Sequence, residues 1–344
     1  MTESEAALSH VGAGDVQPLT LPRVVLSSVV RSSHQGESHG GVYMVDFASR
    51  AIEQLLDWDD PSISWEGRGA DRGLRGISFH ADRVLLAASD EIFIYDCQFR
   101  MQGSFRNPYL KHCHEITVDG DRLLVTSTGF DSVLEYDLTR ATFTDAFLVR
   151  YDTVNEWRRR LAQGGAPPSL FRPMPRLRRF DPTRPGGPEP GDTTHVNNVA
   201  VDAGVILVCG TKLARVIAVS GEGPSTYARV PFGSHNARPF RDGILMNHTR
   251  SDRICYLSRS GHVLRSWPIV RYGDDELEHA SLSADQARQA FGRGLAVVDG
   301  EHFVGGSSPA TVSLYAFEQP EPLATINLTR DVRNAVHGLE VWPF

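Results

Sequence analysis

Residues 75–96 read RGISFHADRVLLAASDEIFIYD, and residues 114–138 read HEITVDGDRLLVTSTGFDSVLEYDL. Both open with a short strand-like run behind a polar or glycine step. A turn carrying Asp or Gly follows, then an apolar run, a short loop and a third run. The same plan returns in NNVAVDAGVILVCGTKLARVIAVS from Asn197, in HNARPFRDGILMNHTRSDRICYLS from His235 and in RGLAVVDGEHFVGGSSPATVSLYAF from Arg293. The apolar runs hold about four to seven residues rich in Val, Ile, Leu and Tyr between Gly, Asp or Ser, which is strand punctuation and not a helical period. VVLSSVVR (24–31) and GVYMVDF (41–47) supply the second and third strands of a unit that lacks its first, and VHGLEVW (336–342) supplies a first strand.

Self-similarity at roughly 40-residue spacing, with three or four strands per unit, resembles the β-propellers. The resemblance is one of architecture over residues 22–344; there is no WD dipeptide set and no Gly-Gly pair in every unit. It implies an all-β fold of about six blades, closed by donation of the last strand to the first blade, which removes exposed sheet edges. Residues 1–21 are expected to be an extended or disordered tail, and 22–344 a single propeller domain. A pair of β-sandwiches is the structural alternative, and it does not explain the incomplete first and last units.

Composition excludes collagen-like, low-complexity and wholly disordered chains: 344 residues, 41% hydrophobic, 22% charged. The net charge of −7, from 42 acidic against 35 basic residues, gives no footprint for nucleic acid. No apolar stretch reaches the roughly 18–20 residues of a membrane span. The N-terminus has neither the basic nor the apolar region of a secretory signal, so a cytoplasmic protein is expected. Cys97, Cys113, Cys209 and Cys255 show no C-x-x-C spacing and read as reduced cysteines of such a protein.

Two insertions interrupt the rhythm, at 152–194 and 270–292. The first holds a helix-like stretch, Val154–Gln163, and a Pro/Arg-rich run with arginines from Arg172 to Arg184; the second holds SLSADQARQAF, where Ser283 is placed to cap a helix. Both connect one blade to the next on the same face, which suggests a lid over the channel mouth.

Alignment of the units places His114, His235 and His337 at the same position, the start of the innermost strand. Arg75 and Arg293 (or its neighbour Gly294) take that place in two other blades, and Asn197 in the remaining one, with His195 two residues earlier. An offset of two keeps a side chain on one face of an extended strand, so four histidines should converge on the axis. Convergent neutral imidazoles are candidate transition-metal ligands. The metal set is therefore expected to be His114, His195, His235 and His337, with His112 as an alternative to His114. Buried histidines satisfied by carbonyls and water are the other reading.

Four imidazoles suit iron(II) with two open positions. The arrangement resembles the carotenoid-cleavage oxygenases, which implies an oxygenase acting on a small or apolar substrate, although none of their sequence motifs is present. A similarity to propeller amidating lyases implies instead zinc, or another divalent metal, and lyase or isomerase chemistry. Glu115, Asn198 and Asn236 are expected to orient the ligands around the metal. Arg75 and Arg293 are candidates to hold a substrate carboxylate or phosphate. His39 and His248, in loops expected at the same mouth, are candidate acid/base groups. A third reading is a propeller without catalysis that binds a protein or small ligand. No G-x-S-x-G elbow, phosphate-binding P-loop, H-E-x-x-H helix or EF-hand loop is present.

Overall fold

The computed structural model describes residues 21–33, 36–59, 73–151 and 174–344. The strands form six antiparallel sheets, one per repeat, arranged as the blades of a propeller. The innermost strands are Asn334–Val341 in blade 1, Leu74–His80 in blade 2, Ile116–Asp119 in blade 3, Val196–Asp202 in blade 4, Ser234–Phe240 in blade 5 and Leu295–Val297 in blade 6. Blade 1 is completed by the chain's end: Asn334–Val341 pairs with Arg23–Val30, Val24 opposite Val341 and Leu26 opposite Leu339.

The second strand of each repeat is apolar because both its faces are covered. In Arg83–Ala88, for example, every residue after the first is buried. Outermost strands alternate instead; Met101–Arg106 carries exposed or half-exposed residues throughout. The hydrophobic core is divided accordingly into six clusters, each lying between two neighbouring blades. Val25, Val42 and Met44 of blade 1 meet Leu74, Val84 and Phe93 of blade 2, and Phe240, Tyr256 and Trp267 of blade 5 meet Phe303, Tyr315 and Phe317 of blade 6. Burial of such large apolar side chains stabilises each interface by about 1.5–3 kcal/mol per residue.

The inner strands approach so closely that small residues are required beside the channel. A Cβ on Gly338 would lie 2.0 Å from the Arg75 carbonyl oxygen. The Gly338 N–H instead donates to Ser27 Oγ at 2.8 Å, and that hydroxyl donates to the Arg75 carbonyl, joining blades 1 and 2.

The insertions depart from the expectation in two ways. Val154–Gln163 and Arg172 lie outside the described residues, as do residues 1–20. Arg176–Phe180 adds a fifth, outer strand to blade 3, with Phe180 opposite Ala146 and Arg176 opposite Arg150. The segment expected to be a helix after Ser283 makes one turn only: the Gln286 and Ala287 N–H groups both reach the Ser283 carbonyl. Propagation stops because Arg288 is tied to Asp252 at 2.5 Å and the Ala290 N–H goes to the Ser308 carbonyl.

Candidate functional site

The pairing of four inner strands with their neighbours is broken near their starts: between Leu74 and Ile77, Val196 and Asn198, His235 and Arg238, and across from Leu26 and Ser28 where His337 and Gly338 sit. Such bulges re-aim side chains. Simple alternation along an extended strand therefore does not describe this layer. His195 and His112 both have left-handed backbones, φ 53° and 54°, as does Gly233 (φ 86°) at the corresponding place in blade 5. A conformation that glycine adopts freely is imposed here on two histidines, at a cost of order 1 kcal/mol each.

One cavity of about 560 Å³ opens at this end of the channel. His112, His114, His195 and His337 line it, together with Arg31, Arg75 and Arg293. Thus both expected arginines and three of the four expected ligands come together. His112 joins them without replacing His114. His235 is buried beside the cavity and does not line it; its ring packs against Phe291 at 6.1 Å between centroids. Asp192, Asp285 and Gln286 belong to the same wall, so both insertions contribute to the mouth.

The tautomers follow from the partners. His114 Nδ1 faces the His112 carbonyl at 2.9 Å, which only accepts, so Nδ1 carries the proton. Thr128 Oγ1 takes a share of it at 2.9 Å while donating to the Val196 carbonyl. The lone pair on His114 Nε2 then accepts from Arg75 Nη1 at 2.8 Å. His195 Nδ1 donates to the Asp192 carboxylate at 2.9 Å, which leaves Nε2 as its free lone pair; Lys212 Nζ holds Asp192 from the other side at 3.1 Å. Arg293 Nη1 lies 3.3 Å from both ring nitrogens of His337.

Burial and the neighbouring cations keep the histidines neutral. His114, His235 and His337 are pushed well below the ordinary histidine range, first by burial and then by Arg75 or Arg293. His195 is lowered by burial, which Asp192 partly opposes. The arginines disfavour one another as well. Burial, offset only in part by neighbouring Cys113, brings Arg75 down to about 10, with Arg31 adding to the fall. Arg293 is lowered by burial, then by Arg31 and Arg75. Among the described residues neither Arg31 nor Arg293 has a carboxylate within ion-pair distance. Their guanidinium carbons instead lie 4.9 Å from the centre of the same ring, Phe291.

Glu115, Asn198 and Asn236 do not orient the imidazoles. Asn198 Nδ2 and Asn236 Nδ2 donate to Glu115, and Arg238 Nη2 joins Glu115 (2.8 Å) to Glu340 (2.6 Å). This buried belt ties blades 3, 4, 5 and 1 across the channel beside the cavity. Asn198 and Asn236 lie at register shifts near their strand starts, and Glu115 just precedes the strand Ile116–Asp119; their bonds run to neighbouring blades. His39 is buried in blade 1 with its Nδ1 on Ser33 Oγ, and His248 in blade 5 bonds Ser251 Oγ at 2.7 Å. Neither lines the cavity.

Three contributors escaped the sequence reading. Arg31 belongs to a strand end with no repeat position to mark it. Asp192 lies in a proline-rich insertion. Asp131, fully buried after the Thr128–Phe130 turn, fixes the loop that delivers His195. Its Oδ1 accepts from the Thr194 and His195 N–H groups and the Thr194 hydroxyl; its Oδ2 accepts from the Thr193 N–H, the Thr193 hydroxyl and Arg150 Nε.

A metal fits this donor set poorly. Among the described residues no three His, Cys, Asp or Glu side chains are placed to hold one ion. The His114 lone pair is already engaged by a guanidinium, and a divalent cation would join three arginines.

No family model and no curated protein matches the sequence. Solved structures do match the shape. A protein of unknown function from Bacteroides caccae superposes with a TM-score of 0.54 at 10% identity, over 94% of this chain and 100% of that one. A protein from Lactobacillus plantarum gives 0.51 at 13% identity, over 91% and 85%. At these identities the likeness defines the class alone: this chain is a six-bladed β-propeller.

Proposed function

We propose that this propeller is an enzyme that binds a small anionic organic molecule at its channel mouth and acts on it by proton transfer through His195. The observation that carries the reading is the pair Arg31 and Arg293, which face the cavity of Arg75 with no carboxylate partner among the described residues. Unpaired guanidiniums in a partly dehydrated cavity are costly unless an anion completes them.

The His195–Asp192 pair supports the catalytic part. A neutral imidazole whose Nδ1–H is held by a carboxylate presents Nε2 as a general base. A proton taken next to a substrate carboxylate leaves negative charge that the arginines stabilise. Elimination and isomerisation are the redox-neutral reactions of this type. The iron(II) oxygenase expected from the sequence would need Arg75 to leave His114. The four free cysteines support a reducing, cytoplasmic location.

The test joins calorimetry to elemental analysis. Arg293→Gln should weaken carboxylate binding about 10- to 100-fold, the worth of a hydrogen bond between charged groups. His195→Gln should retain binding and lose turnover. Stoichiometric metal in protein purified without a metal-affinity tag, lost in His235→Ala, would overturn the proposal.

A further inference from the structure

A second cavity, of about 570 Å³, adjoins the first and shares His112 with it. Three stretches of chain run from one cavity into the other. Thr128 lines the first and Phe130 the second; Asp192 lines the first and Pro190 the second. His112 lines both, and Leu110 before it lines the second. Backbone bonds fix the three stretches to one another: the Gly129 N–H donates to the Lys111 carbonyl at 3.0 Å, and the Gly191 N–H to the Gly129 carbonyl at 2.8 Å. A Cβ on Gly129 would lie 2.9 Å from Lys111 Cγ, so glycine is what lets two of them close. The His112 N–H donates to Ser89 Oγ, in the wall of the second cavity, at 3.3 Å. The two cavities are compartments of one cleft, divided at His112.

Their linings differ in chemistry. The first holds one aliphatic side chain, Val29, among arginines, histidines and carboxylates. In the second, Leu110 and Phe130 are buried and form the floor, while Pro108 and Pro190 are exposed at the rim. The arginine of the second cavity, Arg106, is committed to Glu91 at 2.5 Å. Apolar side chains grouped in a concave site hold a nonpolar group by removing its surface from water.

We infer that the ligand is a carboxylic acid with an apolar tail. Its head lies with Arg31 and Arg293; its tail passes His112 and is buried against Leu110, Phe130 and the two prolines. This rests on the anion-binding reading above and deepens it, by assigning a second site to the part of the molecule that does not react.

A chain-length series tests the inference by calorimetry on the full chain, with acetate, butyrate, hexanoate and octanoate as probes. Affinity should climb about fourfold for each methylene that enters the second cavity, so octanoate should bind at least about tenfold more tightly than butyrate. Pro108→Asp puts a charge at the rim. Pro108 sits inside a turn closed by the Leu110 N–H on the Asn107 carbonyl at 2.9 Å, a position that accepts most residues. Pro190→Asp does the same from the insertion. Either variant should flatten the rise with chain length and leave acetate binding unchanged, whereas Arg293→Gln should weaken all four acids alike. A rise with length that both Asp variants leave intact would place the tail elsewhere and overturn the inference. Equal affinities for all four acids, all reduced by Arg293→Gln, would overturn the tail and leave the anion site standing. No binding of any of the four would overturn both.

Discussion

Asp131→Asn asks whether one carboxylate holds the loop that carries His195. The wild-type carboxylate receives three donors on each oxygen. Asparagine keeps one oxygen and presents an NH₂ group to the other three donors. With the oxygen kept toward Thr194 and His195, the Thr193 hydroxyl can rotate away. Arg150 Nε and the Thr193 N–H then lose their acceptor. A hydrogen bond to a charged group contributes about 1.5–3 kcal/mol, and loss of one partner from a buried ion pair costs about 3–5 kcal/mol. Arg150 is 24% exposed, so water recovers part of that loss, and a net cost of about 3 kcal/mol is expected. At about 2.1 cal/mol/K per residue, unfolding a 344-residue chain carries an entropy near ~0.7 kcal/mol/K, so the melting temperature should fall by about 4 °C. Differential scanning calorimetry reads this directly. Turnover should fall further than stability, because the freed loop no longer aims His195. A melting temperature within about 1 °C of the parent, with turnover intact, would refute the reasoning.

Two further perturbations separate the belt from the site. Arg238→Met should destabilise the fold by about 3–5 kcal/mol in urea titration, because Glu115 and Glu340 lose their shared cation. Adding Glu340→Gln should restore part of that loss; no recovery would mean that packing around the Arg238 stem matters more than charge. Stability should also fall as pH drops below 6.5. His114, His235 and His337 are held neutral by burial and the nearby arginines, whereas the unfolded chain binds their protons. The unfolded state then binds more protons in that window, so acid favours it, by up to about 1.4 kcal/mol per pH unit for each such histidine. Urea midpoints between pH 7 and 5 measure the slope, and a flat profile would mean that these rings protonate in place.

The fold was legible because it is written in repeats. Every blade carries its own apolar second strand, and the incomplete units at 24–47 and 336–342 could only be resolved by joining the ends. The site was legible in position and less so in chemistry. The alignment of His114, His235, His337, Arg75 and Arg293 marked one layer of the channel, and all of these but His235 line one cavity. The reasoning for His195 assumed an extended strand; its left-handed backbone and the adjoining bulge bring it to the cavity by another route. Bulges depend on how neighbouring blades crowd the axis, as at Gly338 and Gly76, and single-strand periodicity does not encode that crowding. The roles of Glu115, Asn198 and Asn236 were missed for the same reason, since their partners sit on other blades. The helix after Ser283 was overridden by tertiary anchors on Arg288 and Ala290.

On the proposed reading, the charge beside a set of imidazoles is what turns them from metal ligands into walls of an anion site. Neutral histidines are suited to both tasks, and the sequence displays them alike. Here each of the two arginines that share the aligned position lies against an aligned histidine: Arg75 on His114 and Arg293 on His337. A guanidinium on the lone pair competes with a metal at the atom where a metal would bind. On the proposed reading, the Arg293 guanidinium, with no carboxylate partner among the described residues, gains by closing on an anion. The belt carries a charge of its own: Glu115 and Glu340 against Arg238 leave one negative charge. Placing it on Glu115 and Glu340, already satisfied by asparagines and Arg238, keeps those carboxylates from occupying the ligand's place.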